Sequence, residues 1–214
     1  MSEQQIISGD LLIFEGDPFT DAPEQAVQIK SDSALLIEGG WITQIGSRDE
    51  MVAAHPQAKH HAHKNKLICP GFIDAHVHYP QTAMIASWGK RLIDWLITYT
   101  FPEEMRFANP DYAREISARY LDLTAAHGTT SMASFCTIHT ASVEALFSEA
   151  QSRGQRVVAG KTCMDRNAPD GLRDTAQSAY DDSKALLEKW HGVGRLSYAI
   201  TPRFSPTSTP EQLE

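Results

Sequence analysis

Cysteine is scarce in this chain of 214 residues, where Cys69, Cys136 and Cys163 are the only three. Three widely spaced thiols make neither a disulfide framework nor a Cys-x-x-Cys zinc pair, and they suit a reducing compartment. Each falls on or beside an expected strand and reads as a small core residue. Long apolar runs are missing too: the stretches 11–14 and 34–37 are cut short by polar residues, far below the roughly 20 apolar residues of a membrane-spanning helix. The first ten residues lack the basic and apolar regions of a secretory signal, so the expected location is the cytoplasm. Basic residues form no run. Lys and Arg number 19 against 27 Asp and Glu, a formal charge of −8, which argues against nucleic acid as the main partner. No expected strand is followed by a dinucleotide glycine fingerprint or a phosphate loop. The residue two places after each of the nine histidines is never glutamate, so the sequence holds no H-x-E.

What is present belongs to a globular protein. Hydrophobic residues make up 42% and charged residues 21%, enough apolar side chains for a core. Residues 6–45 read as short strands, with Gly39-Gly40 between two apolar runs as a hairpin signal. Residues 49–66 are polar and rich in histidine, which reads as a linker with one short helix. From Leu67 the pattern alternates: strand at 67–78, helix at 110–128 stopped by Gly128, strand at 129–135, helix at 141–154, strand at 155–164, helix at 174–192 and strand at 195–204. This β-α order implies a parallel sheet with helical crossovers. The expected class is α/β: a partial (β/α)8 barrel of about four βα units, since a complete barrel takes about 250 residues. The expected division is 1–66, strands of a small β-sandwich plus linker, and 67–214, the first half of the barrel.

The sharpest chemical signal is Pro70-Gly71-Phe72-Ile73-Asp74-Ala75-His76-Val77-His78. Residues two apart on a strand share a face, so His76 and His78 point both imidazoles the same way at the C-terminal end of a barrel strand, where barrel sites sit. Two neutral imidazoles suit Zn²⁺. Against this stands the plain reading of two ordinary histidines near a strand end.

With its continuation, this segment resembles the amidohydrolase superfamily, whose first barrel strand ends in PGFIDxHxH. Within it the chain resembles the guanine deaminases: His78-Tyr79-Pro80-Gln81, the stretch 96–102, His127-Gly128-Thr129-Thr130, the stretch 160–165 and Thr201-Pro202-Arg203-Phe204 occur in the same order. Bacterial guanine deaminases are the nearest in kind, given the stretch 164–170. The resemblance implies hydrolytic deamination of guanine to xanthine and ammonia, in purine catabolism, by an enzyme that forms a homodimer. It implies one zinc held by His76, His78, a later histidine and an aspartate, activating a water for attack at C2, with an H-x-E glutamate moving protons. Those later residues are not in the sequence, so the expectation is an N-terminal half that is inactive alone, with no catalytic acid or base of its own.

The resemblance also makes Gln81, Arg203 and Phe204 substrate-binding residues. One amide can donate to a ring nitrogen and accept from a ring N–H. A planar guanidinium can donate to O6 and N7, and a phenyl ring can stack on a purine. The bland counterparts are a loop glutamine, a salt bridge and a core aromatic. Lys161 reads as a structural lysine rather than a carbamylated metal bridge. His60, His61 and His63 read as solvated linker, Trp88, Trp95, Tyr99 and Phe101 as packing around the site, and 165–170 as a polar loop that either closes over substrate or simply turns. Two other readings stay open: an amidohydrolase deaminase acting on another purine, a triazine or cytosine, and a partial barrel that only binds a partner.

Overall fold

The structure, a computed structural model, describes residues 4–17, 19–89 and 91–214. The chain divides into two compact units, Met1–Pro70 and Gly71–Glu214.

In the first unit, strands β1 (Gln4–Phe14), β2 (Val27–Glu38), β3 (Trp41–Ser47) and β4 (Lys59–Ile68) form one sheet in the order β3-β2-β1-β4. A single turn, α1 (Pro23–Ala26), precedes β2, and α2 (Arg48–Ala54) follows β3. Gly39 and Gly40 join β2 to β3 with φ of +59° and +83°, the left-handed pair that a two-residue hairpin of right-handed twist requires. Ile6, Ala34, Leu36 and Met51 close a small core. The histidine-rich segment corrects the expected linker: it is β4, paired in parallel with β1 so that Ile6 lies opposite His60. His60 Nε2 lies 2.7 Å from Ser8 Oγ. Most of β4 is exposed on both faces, so it lacks the period-two alternation by which a strand is recognised.

In the second unit, β5 (Phe72–His78) is followed by a 3₁₀ turn at Tyr79–Met84. Then comes a continuous helical run of α3 (Leu92–Trp95), a π turn (Leu96–Thr100) and α4 (Phe101–Met105). The alternating portion is α5 (Pro110–Ala126), β6 (Thr129–Phe135), α6 (Thr140–Arg153), β7 (Arg156–Gly160), β8 (Thr162–Cys163), α7 (Ala176–Trp190), β9 (Leu196–Tyr198), β10 (Thr201–Pro202) and α8 (Pro210–Leu213). Strands β5-β6-β7-β9 are parallel neighbours in chain order, and β8 pairs in parallel with β10. This is a partial (β/α)8 barrel. The helices begin and end where chemistry dictates. Asn109 accepts the Asp111 N–H before α5, Thr175 and Ser178 cap α7 reciprocally, and Gly154 ends α6 in the left-handed region. Ile116, Leu121, Met132, Leu146, Phe147, Val157, Leu186 and Trp190 belong to the core packed between helices and sheet.

Three expected strands are each broken in two. Cys69-Pro70-Gly71 separates β4 from β5, so Leu67 and Ile68 pair with β1 and not with the barrel. Cys69 is exposed there, whereas Cys136 and Cys163 are buried as core residues. Lys161 separates β7 from β8, and Ala199-Ile200 separates β9 from β10. These last two breaks meet. A Cβ on Gly160 would lie 1.8 Å from the carbonyl oxygen of Ala199, a backbone atom that cannot turn aside. Replacing Gly160 with alanine is therefore expected to destabilise the protein by about 3 kcal/mol, the upper end for overpacking a core. Urea unfolding checks this, and an unchanged midpoint would show that the strands part without penalty.

Candidate functional site

In a parallel sheet the C-terminal strand ends share one edge, and the register brings His78 of β5 beside Phe135 of β6, and Phe135 beside Gly160 of β7. The strand β5 is irregular between Asp74 and Val77, where the Asp74 carboxylate accepts the His76 peptide N–H at 3.2 Å. The two imidazoles still meet, with ring centroids 5.5 Å apart and planes at 73°. Phe135 holds both: it stacks on His78 at 4.7 Å and 7°, and meets His76 edge-on at 5.6 Å. His76 is exposed and His78 half-buried. Burial, then the Arg203 charge, then His76, push the His78 pKa down to about 4, so its ring is neutral at pH 7. Its Nδ1 is buried with no hydrogen-bond partner. A neutral imidazole with an unpartnered buried ring nitrogen, beside a second imidazole, is a donor set that fits Zn²⁺. Among the described residues there is no group of three or more His, Cys, Asp or Glu able to hold a metal, so the fit extends to two ligands.

The turn after β5 delivers Gln81. Tyr79 is fully buried, its hydroxyl donating to the Ser142 carbonyl at 2.6 Å and its N–H to Ser134 Oγ at 3.2 Å, and Pro80 starts the 3₁₀ turn. Thr82 Oγ1 closes that turn on the Tyr79 carbonyl at 2.6 Å. Gln81 so placed donates through Nε2 to Glu104 Oε1 at 3.4 Å. From the end of β10, Arg203 donates through Nη1 to the other oxygen, Oε2, at 2.5 Å. This ion pair is buried, with side-chain exposures of 5% for Arg203 and 1% for Glu104. The Arg203 guanidinium also lies 5.8 Å over the Phe101 ring.

His76, His78 and Gln81 line one cavity of about 490 Å³ together with Trp95 and Tyr120. Phe204 lines a different, apolar cavity of about 630 Å³ with Phe101, Ile97 and Pro169, and it is 38% exposed. Arg203 reaches the histidine side through Glu104 and through its field on His78. Glu104 escapes sequence reasoning: it is the second of two adjacent glutamates on α4, and Glu103 turns instead to Tyr112 and, at 2.9 Å, to Arg106. The signal available was its place two residues beyond the 96–102 stretch.

Lys161 and Asp174 pair at 2.6 Å, with exposures of 1% and 7%. The lysine is a structural ion-pair partner. The 165–170 loop is tied down: Asp165 accepts from Thr209 N–H at 2.8 Å and Oγ1 at 2.5 Å, and Asn167 Nδ2 donates to the Pro206 carbonyl at 2.7 Å. No helix among the described residues is long and apolar enough to cross a membrane.

Residues 34–58 match the imidazolonepropionase-like composite domain of bacteria. The chain is 46% identical over 197 residues to the guanine deaminase of Escherichia coli K12, covering 90% of this chain and 45% of that protein. It is 41% identical over 206 residues to a probable guanine deaminase of Deinococcus radiodurans, covering 94% and 46%. The chain thus spans about half the length of the curated relatives it matches. Among solved structures, the guanine deaminase of Bradyrhizobium japonicum superposes with a TM-score of 0.94 at 38% identity, covering 99% of this chain and 46% of that one. The C. acetobutylicum guanine deaminase, solved with guanine bound in its active site, superposes with a TM-score of 0.87 at 29% identity, covering 99% and 49%. Residues 67–214, which hold the paired imidazoles, the amide and the guanidinium, match the model of the amidohydrolase family, and the chain belongs to that family.

Proposed function

We propose that this chain supplies the first two metal ligands and the purine-holding residues of a zinc-dependent guanine deaminase, which hydrolyses guanine to xanthine and ammonia. The observation that carries the reading is the convergence of Gln81 and Arg203 on Glu104 while Gln81 shares a cavity with His76 and His78. An amide and a guanidinium held beside paired imidazoles are the groups that a hydrogen-bonding heterocycle and a metal-activated water need.

His76 and His78 would hold the zinc, which when bound would lower the pKa of a water toward neutrality. Phe135 fixes the ring planes and the low pKa keeps His78 unprotonated for that duty. Gln81 and Arg203 orient the base. Phe204 lines the apolar cavity and not the one that the histidines and Gln81 share, and would meet the base from that side. The proposed division of labour is 67–214 as the first half of the amidohydrolase barrel and 1–66 as strands and connection of an accompanying β domain.

The test is to express the protein from its complete reading frame, load it with zinc, and follow ammonia and xanthine from guanine beside adenine, cytosine and a triazine. Guanine is expected to be turned over fastest by at least about tenfold, a floor well below the roughly 10⁴–10⁵ by which a site built around a substrate's polar groups can reject analogues that lack them. Preference for a triazine or cytosine would overturn the guanine reading in favour of another deaminase of the family. No turnover with any of them would favour a partner-binding role.

A further inference from the structure

We infer that Glu104 sets the hydrogen-bonding polarity of Gln81 and Arg203 and so makes the site choose a lactam edge, a carbonyl beside a ring N–H, over an amino-substituted edge. The inference rests on the purine reading above and deepens it.

Glu104 is 1% exposed, and each of its carboxylate oxygens is engaged by a different residue of the site. An ionised carboxylate only accepts hydrogen bonds. Gln81 must therefore turn its NH₂ toward Glu104 Oε1, which leaves its own carbonyl oxygen as the end presented elsewhere. Arg203, paired through Nη1 with Oε2, has further N–H groups and no acceptor. The pair thus offers one acceptor and a set of donors, in an order fixed by a residue that lies behind both. The complementary ligand carries one donor N–H and one or more acceptors.

Guanine has that edge in N1–H with O6 and N7. A 6-amino purine inverts it: the exocyclic amine is a donor facing donors, and N1 is an acceptor facing an acceptor. Leaving such groups unpaired in a desolvated site is heavily penalised, which is how hydrogen-bonding pockets reject analogues of nearly equal size. If residue 104 were an amide, it could donate as well as accept, and Gln81 would be free to rotate its amide and present either end. Glu104 is a positioning residue in this scheme, acting through Gln81 and Arg203.

Guanine and 2,6-diaminopurine lose the same 2-amino group and differ only along the N1–C6 edge, so they make the measuring pair. In the zinc-loaded protein expressed from its complete reading frame, the ratio of kcat/KM for guanine over 2,6-diaminopurine is measured for wild type, Glu104→Gln, Glu104→Asp and Gln81→Leu. One preparation serves both substrates, so incomplete folding or metal loading cancels. Glu104→Gln is expected to lower the ratio at least about tenfold, and Gln81→Leu, on a partly exposed turn, to lower it similarly. Glu104→Asp, which still only accepts, is expected to keep the ratio within about threefold of wild type. A second readout avoids turnover: calorimetric binding of hypoxanthine against adenine should show the same loss of preference in Glu104→Gln. An unchanged ratio in Glu104→Gln, or in Gln81→Leu where the former does not fold, overturns the inference and leaves Glu104 a structural ion-pair partner. A wild-type ratio near one also overturns it. Wild-type protein that deaminates neither purine overturns the underlying reading instead.

Discussion

On the function proposed above, replacing His78 with alanine in the protein expressed from its complete reading frame is expected to remove zinc and lower guanine turnover by more than about 10³-fold, while far-UV circular dichroism stays near that of wild type. The magnitude follows from what the metal supplies. Lewis-acid stabilisation of developing charge amounts to several kcal/mol, and about 4 kcal/mol corresponds to about 10³-fold in rate. On the proposed reading the two imidazoles are this chain's zinc ligands, and losing one leaves His76, which is exposed and belongs to no group of three metal-ligating side chains among the described residues. The fold is expected to survive because His78 ends β5 and its ring is half-buried, stacked on Phe135 and not inserted in the core around Phe147. Metal analysis and turnover of His78→Ala decide the matter. Full zinc occupancy and activity in that variant would remove the paired-imidazole ligand from the argument.

How far the site was legible depends on the range over which each signal acts. The paired histidines are legible because period two is a local property of one strand, and it survives even the irregularity between Asp74 and Val77. The helices over 110–126, 140–153 and 176–190 are legible because Asn109, Gly154 and Thr175 punctuate them locally. The pairing of Glu104 with Arg203 is not, because 99 residues separate the partners and nothing near Glu104 distinguishes it from Glu103. The breaks at Lys161 and at Ala199-Ile200 escaped for a similar reason. They meet where Gly160 lies so close to the Ala199 carbonyl that only a residue without a Cβ fits, a constraint between distant segments that neither segment's own sequence displays. For β4 the failure was of another kind: it is a polar strand, so composition pointed to a linker while hydrogen bonding to β1 decided otherwise.

Replacing Lys161 with methionine is expected to destabilise the protein by about 3–5 kcal/mol near pH 7, the range for removing one partner of a buried ion pair. Lys161 is 1% exposed, and its Nζ sits 2.6 Å from Asp174 Oδ2, so methionine fills the space but leaves a carboxylate without its cation. The wild-type carboxyl is already held uneasily. Burial raises the Asp174 pKa more than the Lys161 charge, the Lys161 hydrogen bond and the Met164 backbone lower it, and Asp182 adds to the rise. A carboxyl whose pKa is higher folded than unfolded binds protons more tightly in the native state, so between the two values stability falls as pH rises. Without Lys161 that window widens upward. The deficit of Lys161→Met is therefore expected to shrink as pH is lowered, because protonation of Asp174 removes the buried charge. Combining Lys161→Met with Asp174→Leu is expected to restore stability to within about 1 kcal/mol of wild type, since exchanging a whole buried pair for apolar groups is often neutral. Denaturant unfolding of both variants at pH 5 and pH 7 checks this. A single-variant deficit independent of pH, or a double variant as unstable as the single, would mean that the loss comes from packing around β8 and not from the stranded charge.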